Sequence, residues 1–209
     1  MRSIYLGASA LSLLLLAGAA SAAPSDQPGH VSPASGTNSN AASAVKDTTA
    51  GVVGKVSAEM THTTKGFVTA AATSDMYEVE AGKIAAKRAS SPAVKDFAEH
   101  MVKAHNETTD KLKAILASNN ISVTPPAHLD DRRQGMIDDL RGAKAADFDT
   151  RYVAQQQAAH EEAQILMRGY AKDGDNPSVK QFASDTLPAV QDHLAMVKKV
   201  EADMKTASK

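Results

Sequence analysis

Ser91-Pro92-Ala93-Val94-Lys95-Asp96-Phe97-Ala98-Glu99-His100-Met101-Val102-Lys103-Ala104-His105 is the stretch that decides the fold of this chain. Serine followed by proline is a helix start: the serine suits the N-cap, and proline at the first helical position gives up an N–H that has no partner there anyway. From that start Val94, Phe97, Ala98, Met101, His105, Thr108, Leu112, Ile115 and Leu116 recur at spacings of three and four, which predicts one buried face. Asn119-Asn120 ends the run. The opening then returns: Pro92-Ala93-Val94-Lys95-Asp96-Phe97-Ala98 reappears as Pro177-Ser178-Val179-Lys180-Gln181-Phe182-Ala183, an offset of 85 from 92 to 177. The chain therefore reads as two related helical hairpins.

The other helices follow outward from this pair. A first helix is predicted from about Lys65 to Ala89, with Phe67, Ala70, Ser74, Tyr77, Ala81 and Ile84 inward and Ala71, Glu78 and Ala85 on the flank. A third runs from about Ala145 to Lys172, with Phe148, Tyr152, Gln155, Ala159, Glu162, Ala163, Leu166 and Tyr170 inward and Val153, Gln156, His160 and Met167 flanking. Asp173-Gly174-Asp175 stops it, and Asn176-Pro177 starts the fourth. In the fourth helix Val179, Phe182, Ala183, Thr186, Val190, His193, Val197, Val200 and Met204 face inward. Pro188 lies inside it and predicts a kink, because it removes one backbone hydrogen bond and crowds the Ser184 carbonyl. Between helices two and three, Thr124-Pro125-Pro126 and a short amphipathic piece, Leu129 to Leu140 closed by Gly142, form a long crossover. Short, long, short connections predict an all-α four-helix bundle over residues 64–206 with one crossover that contains a short helix.

The bulk composition agrees. The 209 residues carry a formal net charge of -1, contain no cysteine and no tryptophan, and are only 4% aromatic. Without cysteine there are no disulfides, thiolate metal sites or cysteine nucleophiles. Nothing in the charge pattern gives the basic stripe that a nucleic-acid partner needs. Ahead of the bundle, Met1-Arg2, the apolar run from Ile4 to Leu16 and the small residues Ala20-Ser21-Ala22 form the three-part pattern of a secretory signal, with cleavage expected near Ala22-Ala23. The apolar run is shorter than the ~20 residues of a membrane-spanning helix. Leu16-Ala17-Gly18-Ala19 resembles a lipoprotein box, but Ala19 stands where the lipidated cysteine belongs, so no lipid anchor is expected. Residues 1–22 are thus read as a signal peptide, and 23–63, rich in Ser, Ala, Thr, Asn, Gly and Pro, as a disordered leader with a weak helical tendency around Val45 to Met60. The mature chain, with no transmembrane segment, is expected to be periplasmic or secreted.

Several features together carry a resemblance. They are Glu78-Val79-Glu80 with Gly82, Val94-Lys95-Asp96-Phe97-Ala98 and Met101-Val102 leading to His105, and Leu129-Asp130 in the crossover. Tyr152, Gln156 and His160 follow, then Leu187-Pro188 with His193-Leu194. From about Gly66 to Val200 the chain resembles the bacterial domain-of-unknown-function family numbered 4142. That resemblance implies a ferritin-like four-helix bundle and an exported location. Members are often labelled outer-membrane proteins, yet the sequence offers no barrel strands, so envelope association is the most such a label implies here. The family has no established activity.

Polar residues on the inward faces are the functional lead. His105 and His193 lie in the apolar stripes of their helices, with Glu78, Gln156 and His160 on flanks. Buried polar groups need partners, since an unsatisfied one costs about 1–3 kcal/mol. Three histidines and a carboxylate suffice for a divalent transition metal, and imidazole suits zinc, copper, iron or nickel. The candidate ligands are Glu78, His105, His160 and His193, with Gln156 and Glu162 as inward polar support. A single ion can join them only if their heads lie within about 8 Å, given bonds near 2 Å. The repeat sets His105 opposite Val190, with His193 about one turn further on, so whether the imidazoles meet depends on helix direction. A ferritin-like di-iron centre wants Glu-x-x-His on two helices. Here the residues three before His105, His160 and His193 are Val102, Gln157 and Val190. His30, His62, His100 and His128 are expected to be exposed. There is no Gly-rich phosphate cradle and no serine elbow. Three functions stay open: a non-enzymatic envelope or stress-related protein, favoured by the missing catalytic constellation; a divalent-metal-binding protein; and a ferritin-like oxidase. A hydrogen-bonded core and a protein partner site remain open for the same residues.

Overall fold

The computed structural model of the chain describes Lys55, Ala58 and residues 61–207. The expected signal peptide, most of the expected leader and His30 lie outside the described residues. Among the described residues five helices have defined bounds and there is no strand: α1 (Thr64–Arg88), α2 (Pro92–Ser118), α3 (Asp131–Gly142), α4 (Ala145–Asp173) and α5 (Pro177–Ala207). The α1/α2 and α4/α5 hairpins each pack along their length, α1 lies against α4 and α2 against α5, and the crossover helix α3 leans on α1 and α4. No described helix is long and apolar enough to cross a membrane.

The core divides into two apolar clusters. One holds Tyr77, Ala81, Phe97, Met101, Phe148, Tyr152, Leu194 and Val197, with Met136, Ile137 and Leu140 of α3. The other holds Phe67, Ala71, Leu112, Leu116, Leu166, Tyr170, Phe182 and Val190. The order in which each helix meets them gives its direction. α1 and α5 run from the second cluster to the first, whereas α2 and α4 run from the first to the second. The crossover thus joins two parallel helices, α2 and α4, while α2 and α5 run in opposite directions. Between the clusters lies a polar layer that each long helix supplies with one or more side chains.

Both ends of the bundle are tied by polar side chains across helices. At the α1/α2 turn the Asp149 carboxylate accepts from the amides of Ser90 and Ser91 and from the Ser90 hydroxyl. Ser91 is the N-cap residue, as its sequence position suggests, but its side chain makes no capping bond; Asp149 from α4 instead holds the backbone amides of Ser90 and Ser91 themselves. Arg88 donates to the carbonyls of Leu140, Arg141 and Ala143 and sits 4.8 Å above the Phe148 ring. Its guanidinium therefore adds donors at the end of α3, where the last carbonyls run short of helical partners. At the other end Asp175 accepts from the Thr64 amide and hydroxyl and from Tyr170. The Tyr170 ring lies 4.3 Å from Phe67, and such aromatic pairs contribute about 0.5–1.5 kcal/mol beyond their buried area. Asn176 caps α5 by accepting from the amides of Ser178 and Val179, and α5 remains helical through Pro188. Packing begins before α1: Ala58 is buried in the second cluster and Lys55 pairs with Glu161.

At Gly82 the backbone of α1 packs directly against α2. A Cβ there would stand 2.7 Å from Val102 Cγ2 and 2.9 Å from the Ala98 carbonyl oxygen.

Candidate metal centre

The polar layer brings three of the four predicted ligands together. His105 comes from α2, His160 from α4 and His193 from α5, and all three are buried. Their ring centroids form a nearly equilateral triangle of 5.6, 5.5 and 5.4 Å. One ring nitrogen from each lies within 4.8 Å of the other two. The antiparallel run of α2 and α5 removes the register difference that the repeat suggested. Tetrahedral zinc with bonds near 2.05 Å would set such nitrogens about 3.3 Å apart, so the three lie somewhat wider than a closed site.

Hydrogen bonds fix which nitrogen each ring offers. His105 Nδ1 lies 2.8 Å from Asp75 Oδ1, and Asp75 Oδ2 accepts from Thr109 at 3.0 Å. His160 Nδ1 lies 2.8 Å from the Gln156 carbonyl oxygen. A carboxylate and a carbonyl only accept, so both Nδ1 atoms carry a proton, and in the neutral form of each ring it is Nε2 that keeps the lone pair. Neither Nε2 has a hydrogen-bond partner, and nor does His193 Nδ1.

Glu78 adjoins the triangle without joining it. Its Oε1 is 3.9 Å from His160 Nδ1, too long for a hydrogen bond, and Oε2 has no partner. Burial pushes its pKa up to about 7, against the lowering pull of His105, the neighbouring Gln156 amide and Arg133. Burial likewise pushes His160 down to about 3 and His193 down to about 4, and positive charge on His105 adds to both shifts. The contact between His160 and Glu78 is therefore not an ion pair at neutral pH. For His105 burial acts downward, but the Asp75 hydrogen bond and the charges of Glu78 and Asp75 outweigh it and raise the pKa. Tyr152, buried beside Glu78, is held well above the ordinary phenol range by burial and then by that carboxylate, and its hydroxyl has no partner.

The two supporting residues separate. Gln156 is buried in the layer; its amide is near enough to Glu78 to favour that carboxylate, but neither amide atom reaches full hydrogen-bond geometry. Glu162, expected to face the site, is instead bound by the crossover: Arg132 donates to both its oxygens at 2.8 and 2.9 Å, and Arg133 donates at 2.7 Å. Two guanidiniums from α3 outcompete the bundle interior for this carboxylate, so the expectation of inward support from Glu162 is corrected. The carboxylate that does meet a histidine is Asp75, which the sequence reading missed. Its signal was its spacing, three before Glu78 and four after Ala71, on the flank already assigned to Glu78. His62, His100 and His128 are exposed as expected, yet the His100 ring lies 5.3 Å from His193. A small cavity of about 20 Å³, lined by residues that include Ser74, His105, Thr108, Thr186, Ala189 and His193, opens beside the triangle. It has room for about one water molecule.

No curated protein and no solved structure matches the chain. The model of one family, described as a domain of unknown function (DUF4142), matches residues 51–200, which takes in Lys55, Ala58 and most of the bundle. The chain belongs to the DUF4142 family.

Proposed function

We propose that this protein is an exported, non-enzymatic envelope protein that binds one divalent transition-metal ion in its core, with His105, His160 and His193 as ligands. One observation carries the metal reading. Of the eight buried side-chain polar atoms without a partner among the described residues, all but Arg151 Nε belong to Glu78, His105, Tyr152, Gln156, His160 or His193. Each would cost about 1–3 kcal/mol if left unpaired. A purely hydrogen-bonded core would pair these atoms with one another; here His105 and His160 each spend Nδ1 on an outer acceptor, and one nitrogen from each of the three rings lies within 4.8 Å of the other two. Asp75 behind His105 and the Gln156 carbonyl behind His160 match the way metal-bound imidazoles are oriented by a second acceptor. Glu78 supplies counter-charge beside the ion, and three protein ligands leave a fourth position for water. The nitrogen-only ligand set favours zinc, copper, iron or nickel over magnesium or calcium. With Glu162 held by arginines and no Glu-x-x-His pair, the residues favour a mononuclear site over a ferritin-like di-iron one. The export signal read at residues 1–22 supports an envelope location.

The test is metal analysis of protein purified gently from its native compartment, beside a His105→Ala/His193→Ala double variant. We expect a single ion per chain in the wild type, none in the variant, and a gain of about 2.7 kcal/mol in stability when free metal is a hundredfold above Kd. Metal-free wild-type protein that gains no stability from zinc, copper, iron or nickel would refute the proposal.

A further inference from the structure

The exposed His100 has no part in the trio, yet its ring stands edge-on to His193, 5.3 Å away with the planes at 90°. His100 and His105 are both on α2, but five residues apart they project from different sides of the helix. His193, reaching in from α5, is the ring that spans between them. The four imidazoles thus form a graded series. His100 is exposed, His193 and His105 are 7% and 6% exposed, and His160 is 1% exposed. Every step from ring to ring is between 5.3 and 5.6 Å.

We propose that His100 and His193 form an outer station for a divalent transition-metal ion, from which the ion passes to the inner trio. This rests on the metal reading above. A bare divalent cation cannot cross apolar packing, because desolvation would cost tens of kcal/mol. An ion that exchanges one imidazole at a time is never bare. Held first by His100 and His193, it next gains His105 and His160 as the His193 ring turns, and gives up His100 last. Acidic side chains sit where they would draw cations to this point: Asp96 is one turn before His100 on the same face of α2, and Asp192 precedes His193 on α5, both exposed. The competing route is the small cavity beside His105 and His193, whose rim includes the exposed Ala189.

The experiment follows zinc loading of the metal-free full chain by stopped flow with a chromophoric zinc indicator. His100→Ala changes an exposed helix position and should fold. It is expected to slow loading about tenfold, a barrier about 1.4 kcal/mol higher once the ion loses its first imidazole. The off-rate should fall in step, so that Kd is unchanged, because His100 holds the ion only in passage. Ala189→Met, which narrows the cavity, should leave the loading rate as in wild type. Equal rates in wild type and His100→Ala would overturn the station. So would a slowed Ala189→Met beside an unchanged His100→Ala, or a weaker equilibrium Kd in His100→Ala, which would make His100 a resident ligand. A wild type that takes up no zinc, or a His105→Ala/His193→Ala variant that binds as tightly as wild type, would sink the inner centre and the station with it.

Discussion

Asp75→Asn isolates the part of the site that touches no ion. The substitution keeps shape and removes one charge. In the native chain Asp75 Oδ1 accepts from His105 Nδ1 at 2.8 Å, and Oδ2 is held by Thr109 at 3.0 Å, so a ring proton is fixed on Nδ1 and the unpartnered Nε2 is the nitrogen left for a metal ion. An asparagine has two ways to answer. Its carbonyl oxygen can still accept from Nδ1, with a weaker, neutral hydrogen bond; or its amide can donate to Nδ1, which moves the ring proton to Nε2 and abolishes the ligand lone pair. Both outcomes weaken metal binding. Outer partners of metal-bound histidines contribute 10–100-fold in affinity, so zinc affinity should fall by about that factor, or roughly 1.4–2.7 kcal/mol. Competition titration against a chromophoric chelator measures it, with circular dichroism as the check on folding and Asp110→Asn, an exposed carboxylate on α2, as the charge control. Nitrogen-15 NMR of the metal-free protein should also show the His105 pKa falling, because the Asp75 hydrogen bond and charge both raise it. A folded Asp75→Asn protein that binds zinc as tightly as the wild type would refute the reasoning.

Other expectations follow from packing and titration. Gly82→Ala should cost about 1–2 kcal/mol in thermal or urea unfolding, because overpacking against the fixed Ala98 carbonyl exceeds the helix-propensity gain, whereas Gly169→Ala in α4, with open space at its Cβ, should gain up to about 1 kcal/mol. Metal-free protein should lose stability as pH falls below about 6.5. The unfolded chain then protonates His160 and His193, while the folded chain resists until about 3 and about 4. Glu78 opposes this: its folded pKa of about 7 exceeds the unfolded 4.5, so its contribution is complete below 4.5 and lost as pH rises through 7. Two histidines against one carboxyl leave a net slope of about 1 kcal/mol per pH unit near pH 5.5, and urea midpoints from pH 4.5 to 6.5 that stay flat would contradict it.

Periodicity made the bundle legible because each helix here buries a stripe that recurs at three and four residues, and the Ser91-Pro92 and Asn176-Pro177 starts fall where α2 and α5 begin. The inward histidines were legible for the same reason: His105 and His193 interrupt otherwise apolar stripes. Their meeting was not, since it depends on α2 and α5 running antiparallel, a tertiary fact that no spacing within one helix encodes. Asp75 was hidden by its own helix, where a carboxylate beside Ser74 on a flank looks like an ordinary surface residue until Thr109 and His105 arrive from α2. Glu162 misled in the opposite sense. Its place in the main stripe of α4 is buried as expected, at 8% exposed, but the helix that buries it is the crossover, which brings Arg132 and Arg133.

The triangle of histidines also bears on how the chain holds together. Its corners come from both hairpins and lie at positions 105, 160 and 193 of a protein without a single cysteine. An ion held by all three would tie the two halves across the middle of the core, as a disulfide would, but with a bond that acid or a chelator undoes. Proton and metal supply would then set not only whether the site is filled but how readily the hairpins part.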